Sequence, residues 1–120
     1  MRHTFPVIND DTGGAYKDSE AAAAAYGAYR NSLKKRQATR EMREVSVGSI
    51  GERRAARRGT LKAAQKDAQV DVEILVGTTV LIVNAVGGAK YTSDDRARGF
   101  ARMLVERSQR AQAEAARQRV

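Results

Sequence analysis

The sequence predicts a mainly α fold, with two or three long helices joined at Gly-rich turns and an extended N-terminal arm. Two observations predict it: Ala-rich segments carry apolar residues at helical spacing, and Gly-Gly pairs precede residues that cap helices. At 120 residues, the chain has room for one domain. We therefore expect an arm over 1–17 and a single helical domain over 18–120, with helices at about 18–46, 49–86 and 93–118.

The arm and the first helix are separated by turn residues. Pro6 and the run Asn9–Gly14 favour extended and turn geometry, and Asp18 or Ser19 can then cap a helix. Four apolar residues follow at spacings of four, three and four, which places them on one helix face as packing residues: Ala22, Tyr26, Tyr29 and Leu33.

The central run admits two interpretations. Read as a helix, it shows an unbroken stripe at spacings of three or four that includes Leu61, Leu75 and Ile82. Read as a strand, the β-branched residues of 70–82 alternate on one face. Because no turn signal separates the run from the helix-forming residues before it, we favour helix. A β strand or hairpin over 70–86, which would give an α+β fold, is the alternative.

The same run is short for a membrane span. Residues 74–89 carry no charge, but they number fewer than the roughly 20 that a bilayer requires. A constitutive transmembrane helix is therefore not expected, and only conditional insertion as an oligomer stays open.

The last helix has clear boundary signals. Gly87 and Gly88 provide a left-handed end for the preceding helix, and Thr92 begins a capping pattern with Asp95. Asp94 and Asp95 suit the positive end of a helix dipole. Phe100 and Leu104 then begin a narrow apolar stripe, which continues only with Ala and Ser.

Positive charge is concentrated in one block. Residues 30–62 hold 11 Lys or Arg against 3 Glu, which equals the net charge of +8 for the whole chain. Such a block indicates contact with nucleic acid or an acidic partner. The candidate contact residues are Lys34, Lys35, Arg36, Arg40, Arg43, Arg53, Arg54, Arg57 and Arg58. No base-reading motif accompanies them, so any binding to DNA should be non-specific.

Catalytic signals are few. The chain has no Cys, and its single histidine, His3, lies in the expected arm. The paired aspartates at 10–11 and 94–95 are typical of turns and helix caps, and neither Gly-Gly pair has the spacing of a phosphate-binding loop. We therefore expect no catalysis, no cofactor and no metal site.

Bulky apolar side chains are also scarce. Six aromatic residues and no Trp are present, and many of the hydrophobic residues are Ala, which buries little surface. Stability would then have to come partly from neighbouring copies. We expect a homo-oligomer, arranged as a ring or tube of helices.

The segment Ala85-Val86-Gly87-Gly88-Ala89-Lys90-Tyr91-Thr92-Ser93-Asp94, followed by Phe100, resembles the small internal core proteins of short-tailed bacteriophages. In those proteins a long Ala-rich helix ends in an Ala/Gly turn, followed by a Ser/Thr–x–Asp cap and a second amphipathic helix. The match assigns the turn to Gly87, the cap to Thr92 and Asp94, and the first helix anchor to Phe100. Lys90, where a second Gly is expected, and Arg96-Ala97, where a Leu pair is expected, depart from that pattern.

The resemblance implies a structural virion protein, located in the phage particle and in the host cytoplasm during assembly. It would work with other virion proteins as an internal core or tail-channel component that assists DNA passage. The alternative function is a basic helical protein that binds nucleic acid non-specifically through residues 34–58.

Overall fold

The computed structural model describes residues 7–8, 14–33, 39–61, 67–88 and 92–118. The chain is an α+β protein, so the prediction of a mainly α fold with long helices is wrong. Its elements in order are β1 (Val7–Ile8), β2 (Gly14–Ala15), α1 (Ser19–Leu33), β3 (Thr39–Glu44), β4 (Arg53–Leu61), β5 (Asp67–Val76), β6 (Thr79–Gly88) and α2 (Asp94–Gln118).

One antiparallel sheet forms the centre of the molecule. Its strand order is β1-β6-β5-β4-β3, and β2 also pairs with β6. The strands β5 and β6 form a hairpin in which Val76 lies opposite Thr79. Gly77 occupies the turn with a φ of 57°, a left-handed conformation that favours glycine. The structure therefore has the strand-and-hairpin arrangement that the sequence left as the alternative.

The predicted helix over 49–86 is replaced by β4, β5 and β6. The same residues fit both a stripe at helical spacing and an alternating pattern of Val and Ile. In the structure they alternate along the paired strands β5 and β6, as suits β-branched residues. Val70, Val72 and Ile74 lie on one face of β5, and Val83 on β6 faces the same way. Gly77, a single glycine within the apolar run, forms the hairpin turn, and a single glycine is a weak turn signal.

The first predicted helix, over 18–46, is also too long. The helix α1 ends at Leu33, and 39–44 form the edge strand β3. Asp18 caps α1, because its Oδ1 accepts a hydrogen bond of 2.7 Å from the amide of Ala21. The helix α2 occupies the span expected for the last helix. Within the expected arm, β1 and β2 pair with β6, and residues 1–6 and 9–13 lie outside the described part.

The two helices cover opposite faces of the sheet. The helix α2 packs against one face of the sheet, which we call the α2 face, and buries Ala97, Ala101, Leu104 and Val105 there. The other, the α1 face, is covered by Ala22, Tyr26 and Tyr29, which pack on Leu75, Val80 and Ile82. The chain thus buries two apolar clusters of its own, although it lacks bulky aromatic residues, because a Val- and Ile-rich hairpin lies between two helices.

No helix in the described ranges is long and apolar enough to span a membrane.

Candidate functional site

The strand β4 distributes the arginines of the basic block between both faces of the sheet. Because side chains alternate along a strand, Arg53 and Arg57 lie on the α1 face, and Arg54 and Arg58 lie on the α2 face. The four residues would form one cluster on adjacent turns of a helix, whereas the strand separates them into two pairs with different environments.

Arg58 is a structural residue. Its Nε donates to Oδ1 of Asp94 over 2.8 Å, and its Nη2 donates to the carbonyl oxygen of Thr92. The guanidinium therefore ties β4 to the start of α2. A side chain engaged in this way is not free to contact a polyanion.

Three other arginines of the basic block are exposed among the described side chains. Arg43 lies near the end of β3, opposite Arg58, whereas Arg53 and Arg54 begin β4, beyond the part of that strand that pairs with β3. The guanidinium of Arg53 lies over the ring of Tyr26, with 4.8 Å between Cζ and the ring centroid. We call Arg43, Arg53 and Arg54 the basic edge.

Apart from Arg57, the other candidate contact residues are Arg40, Lys34, Lys35 and Arg36. Arg40 lies on β3 opposite Thr60. Lys34, Lys35 and Arg36 lie outside the described residues.

The predicted turn and cap residues lie close together, but with different roles. Gly87 and Gly88 are the last residues of β6, so they end a strand and not a helix. The helix turn is capped by Ser93, whose Oγ accepts from the amide of Arg96 over 3.2 Å. Thr92 is buried, and its hydroxyl donates to the carbonyl oxygen of Gly88 over 3.2 Å.

Asp94 and Asp95 occupy the first turn of α2, as their helix-start signal predicts. The residues predicted to pack divide between the two apolar clusters. Tyr26, Tyr29, Leu75 and Ile82 are buried on the α1 face, and on the α2 face Leu104 is buried and Phe100 partly buried. Leu33 ends α1 and Leu61 ends β4, and their side chains lie outside the described part.

Sequence reasoning missed a row of polar residues that crosses the α1 face. Glu44, Arg57, Asp71 and Asn84 lie directly opposite one another on four successive strands, β3 to β6. We call these four residues the polar row. Asp71 is buried and accepts two hydrogen bonds from Nε2 of Gln69, at 2.9 and 3.1 Å. The sequence signal for this row was the pair of acidic residues at 71 and 73, which interrupts the apolar run at alternate positions.

Glu73 lies next to the polar row and is completely buried, with 0% of its surface exposed. Its Oε1 accepts from Nη1 of Arg30 over 2.9 Å. Burial raises the pKa of Glu73 from 4.5 to about 7, because loss of solvent disfavours the charged carboxylate more than Arg30 stabilises it. This carboxyl group can therefore change charge near neutral pH.

Three buried polar atoms of this region have no hydrogen-bond partner among the described residues: Nε of Arg57, Oε2 of Glu73 and Oδ1 of Asn84. Buried polar atoms are normally satisfied, so such atoms call for a physical explanation. A cavity of about 390 Å³ lies beside Arg57, and Arg30, Glu44, Arg54 and the loop 45–49 also line it, among others.

Within the described ranges, no group of three or more acidic, His or Cys side chains is placed to hold a metal ion. Comparisons of the chain with protein-family models, with curated proteins and with solved structures find no match.

Proposed function

We propose that this protein binds nucleic acid non-specifically through the basic edge, without catalysing a reaction. The observation that carries the proposal is the exposure of Arg43, Arg53 and Arg54 on the neighbouring strands β3 and β4, within a block that holds the net positive charge of the chain. Exposed guanidinium groups can contact phosphates at little desolvation cost. The binding surface is a sheet edge and not the helix that the sequence suggested.

The absence of a base-reading motif supports a sequence-independent mode. Phosphate contacts release counterions, so the affinity should fall steeply as the salt concentration rises, with a slope of about −0.9 per contact. Three arginines would then contribute about −2.7 to the slope of log K against log salt concentration.

The experiment is fluorescence anisotropy of a labelled DNA duplex over a salt series, with a matched pair of triple variants. The first variant changes Arg43, Arg53 and Arg54 to Gln. The control changes three exposed arginines of α2 to Gln and removes the same charge: Arg107, Arg110 and Arg117. We expect the first variant to lose most of the salt slope and the control to keep it.

Equal losses in both variants would show that net charge alone drives binding, and would contradict a defined basic edge. Absence of binding by the unchanged protein at low salt would contradict the function itself.

We propose a second role, as an oligomeric component of a phage particle that assists DNA passage. Its support is the resemblance over residues 85–94 with Phe100, together with the surface of α2. The last turns of α2 are exposed, and small residues there, including Ala111 and Ala115, would let helices of neighbouring copies approach closely. Because β4, β5 and β6 take the place of the helix expected there, a ring or tube would form through α2 or the sheet edge.

The mass of the purified protein in solution, measured by light scattering with and without DNA, tests this second role. A large homo-oligomer without DNA supports it, whereas a monomer that binds DNA supports the first proposal alone.

A further inference from the structure

The main donors of the cavity beside the polar row, Arg30 and Arg57, do not belong to the basic edge. It lies between the C-terminal part of α1, the strand β4 and the loop 45–49, and its volume of about 390 Å³ is in the range of small-molecule sites. Two guanidinium groups from distant parts of the chain, those of Arg30 and Arg57, line it. Arg54 and Glu44 also line the cavity, so its lining includes three guanidinium groups and one carboxylate.

Both arginines have donors to offer. Arg30 uses Nη1 on Glu73, while its planar group carries five N–H donors and its side chain is 24% exposed. Arg57 has a buried Nε with no partner in the described part of the chain. A buried donor without a partner is costly, so Arg57 would gain stability from a rearrangement that brings this atom to an acceptor in the cavity.

We infer that this cavity binds a small oxyanion, the carboxylate or phosphate group of a small molecule, with Arg30 and Arg57 as donors. Guanidinium groups match both kinds of oxyanion, because their N–H groups can form two parallel charge-assisted hydrogen bonds. This inference goes beyond nucleic-acid binding and does not depend on it.

Glu73 couples this site to protons. The ionised carboxylate repels an anion and holds a donor of Arg30 by a charge-assisted hydrogen bond, whereas the protonated carboxyl group carries no charge and accepts from Arg30 more weakly. The groups that face Glu73 are Arg30 and Tyr26 on α1, Arg57 on β4 and Asp71 on its own strand. Since the pKa of Glu73 is about 7, anion affinity should fall as the pH rises through neutrality.

The experiment follows amide resonances of residues 45–57 by NMR during titration with inorganic phosphate and with acetate, against sodium chloride of equal ionic strength. The two arms distinguish a phosphate site from a carboxylate site. We expect saturable shifts with at least one anion. Arg57→Gln should weaken its binding roughly tenfold or more, whereas Arg117→Gln, on the exposed end of α2, should leave it unchanged.

A second variant guards against a loss of folding in the first. Ala55→Leu places a larger side chain in the cavity without changing any charge, and it should abolish the shifts while DNA binding through the basic edge persists. A thermal melt of each variant confirms that it is folded.

The pH arm uses sulfate, because its charge does not change between pH 6 and pH 8. Affinity should fall about fivefold or more over this range, and Glu73→Gln should remove the pH dependence by holding the affinity near its low-pH value. No saturable shift with phosphate or acetate, or the same affinity in Arg57→Gln and folded Ala55→Leu as in the unchanged protein, would overturn the site. A pH dependence that persists in Glu73→Gln would overturn its coupling to this carboxyl group.

Discussion

The guanidinium of Arg30 lies 2.9 Å from Oε1 of Glu73, although 43 positions separate the two residues in the chain. This ion pair joins the C-terminal end of α1 to the centre of the sheet. It is monodentate, and the second carboxylate oxygen has no partner in the described residues. A buried pair of this kind contributes little to net stability, because the desolvation of both charges offsets their attraction.

The pH dependence of stability should report on Glu73. Its pKa is about 7 in the folded protein, above the ordinary value of 4.5, so the unfolded chain loses the proton first. The free energy of unfolding should therefore fall as the pH rises from 4.5 to 7 and stay level above 7. The size of this contribution is about 3 kcal/mol.

The measurement is urea unfolding of the unchanged protein and of Glu73→Gln at pH 5 and pH 8. The amide cannot ionise, so the variant should gain stability relative to the unchanged protein at the higher pH. Parallel pH profiles for the two proteins would show that Glu73 titrates normally.

Arg58→Gln should lower the free energy of unfolding by about 1–2 kcal/mol, because it removes the bonds to Asp94 and to the carbonyl oxygen of Thr92. The ion pair itself contributes less than its distance suggests, since the Asp94 side chain is 43% exposed. Arg54→Gln, on the same face of β4 but exposed, should change stability by less than about 0.5 kcal/mol. Chemical denaturation of both variants makes the comparison, and equal effects would contradict the distinction between a structural Arg58 and an exposed Arg54.

Gln112→Ala should destabilise the β5–β6 turn. The side-chain amide of Gln112 donates to the carbonyl oxygen of Val76 over 2.8 Å and accepts from the amide of Thr78 over 3.1 Å. Loss of both bonds should cost about 1–2 kcal/mol, measured by thermal or urea unfolding. Gln109→Ala, three residues earlier and exposed, is the matched control and should have little effect. A similar loss in the control would show that the turn contact is not responsible, and helix propensity could not explain it because Ala is a better helix former than Gln.

Ala101→Leu should test the packing of α2 on the sheet. Ala101 has 0% of its surface exposed, so a larger side chain has to displace its neighbours, at about 1–3 kcal/mol. Ala113→Leu makes the same change at an exposed position of the same helix and should be nearly neutral. The measurement is the unfolding midpoint of each variant. An unchanged midpoint for Ala101→Leu would contradict the close contact between α2 and the sheet.

Local signals predicted the starts of α1 and α2 best. Asp18 caps α1, and the acidic residues Asp94 and Asp95 begin α2, because a helix terminus is stabilised by neighbours three residues away. The sequence predicted Thr92 as the cap of α2, whereas the structure places Ser93 there, one position later.

The strand β4 could not be predicted in the same way. Its residues Arg53–Leu61 include Ala and Arg, which are good helix formers, so propensity and the basic cluster both favoured helix. Pairing on both sides, with β3 and β5, overrides that preference. The residues Ser49-x-x-Glu52 match the spacing of a helix capping box, but Glu52 instead accepts a hydrogen bond of 2.9 Å from the turn amide of Gly77.

The sequence by itself determined the concentration of positive charge, the alternating apolar residues of the central run and the start of each helix. Those properties depend on composition or on neighbours a few positions apart. Only the tertiary structure decided that the central run folds into a hairpin, that Arg58 is engaged while Arg54 is exposed, and that Glu44, Arg57, Asp71 and Asn84 form one row. The physical reason is that strand register brings distant residues together, and a single sequence contains no local signal for that pairing.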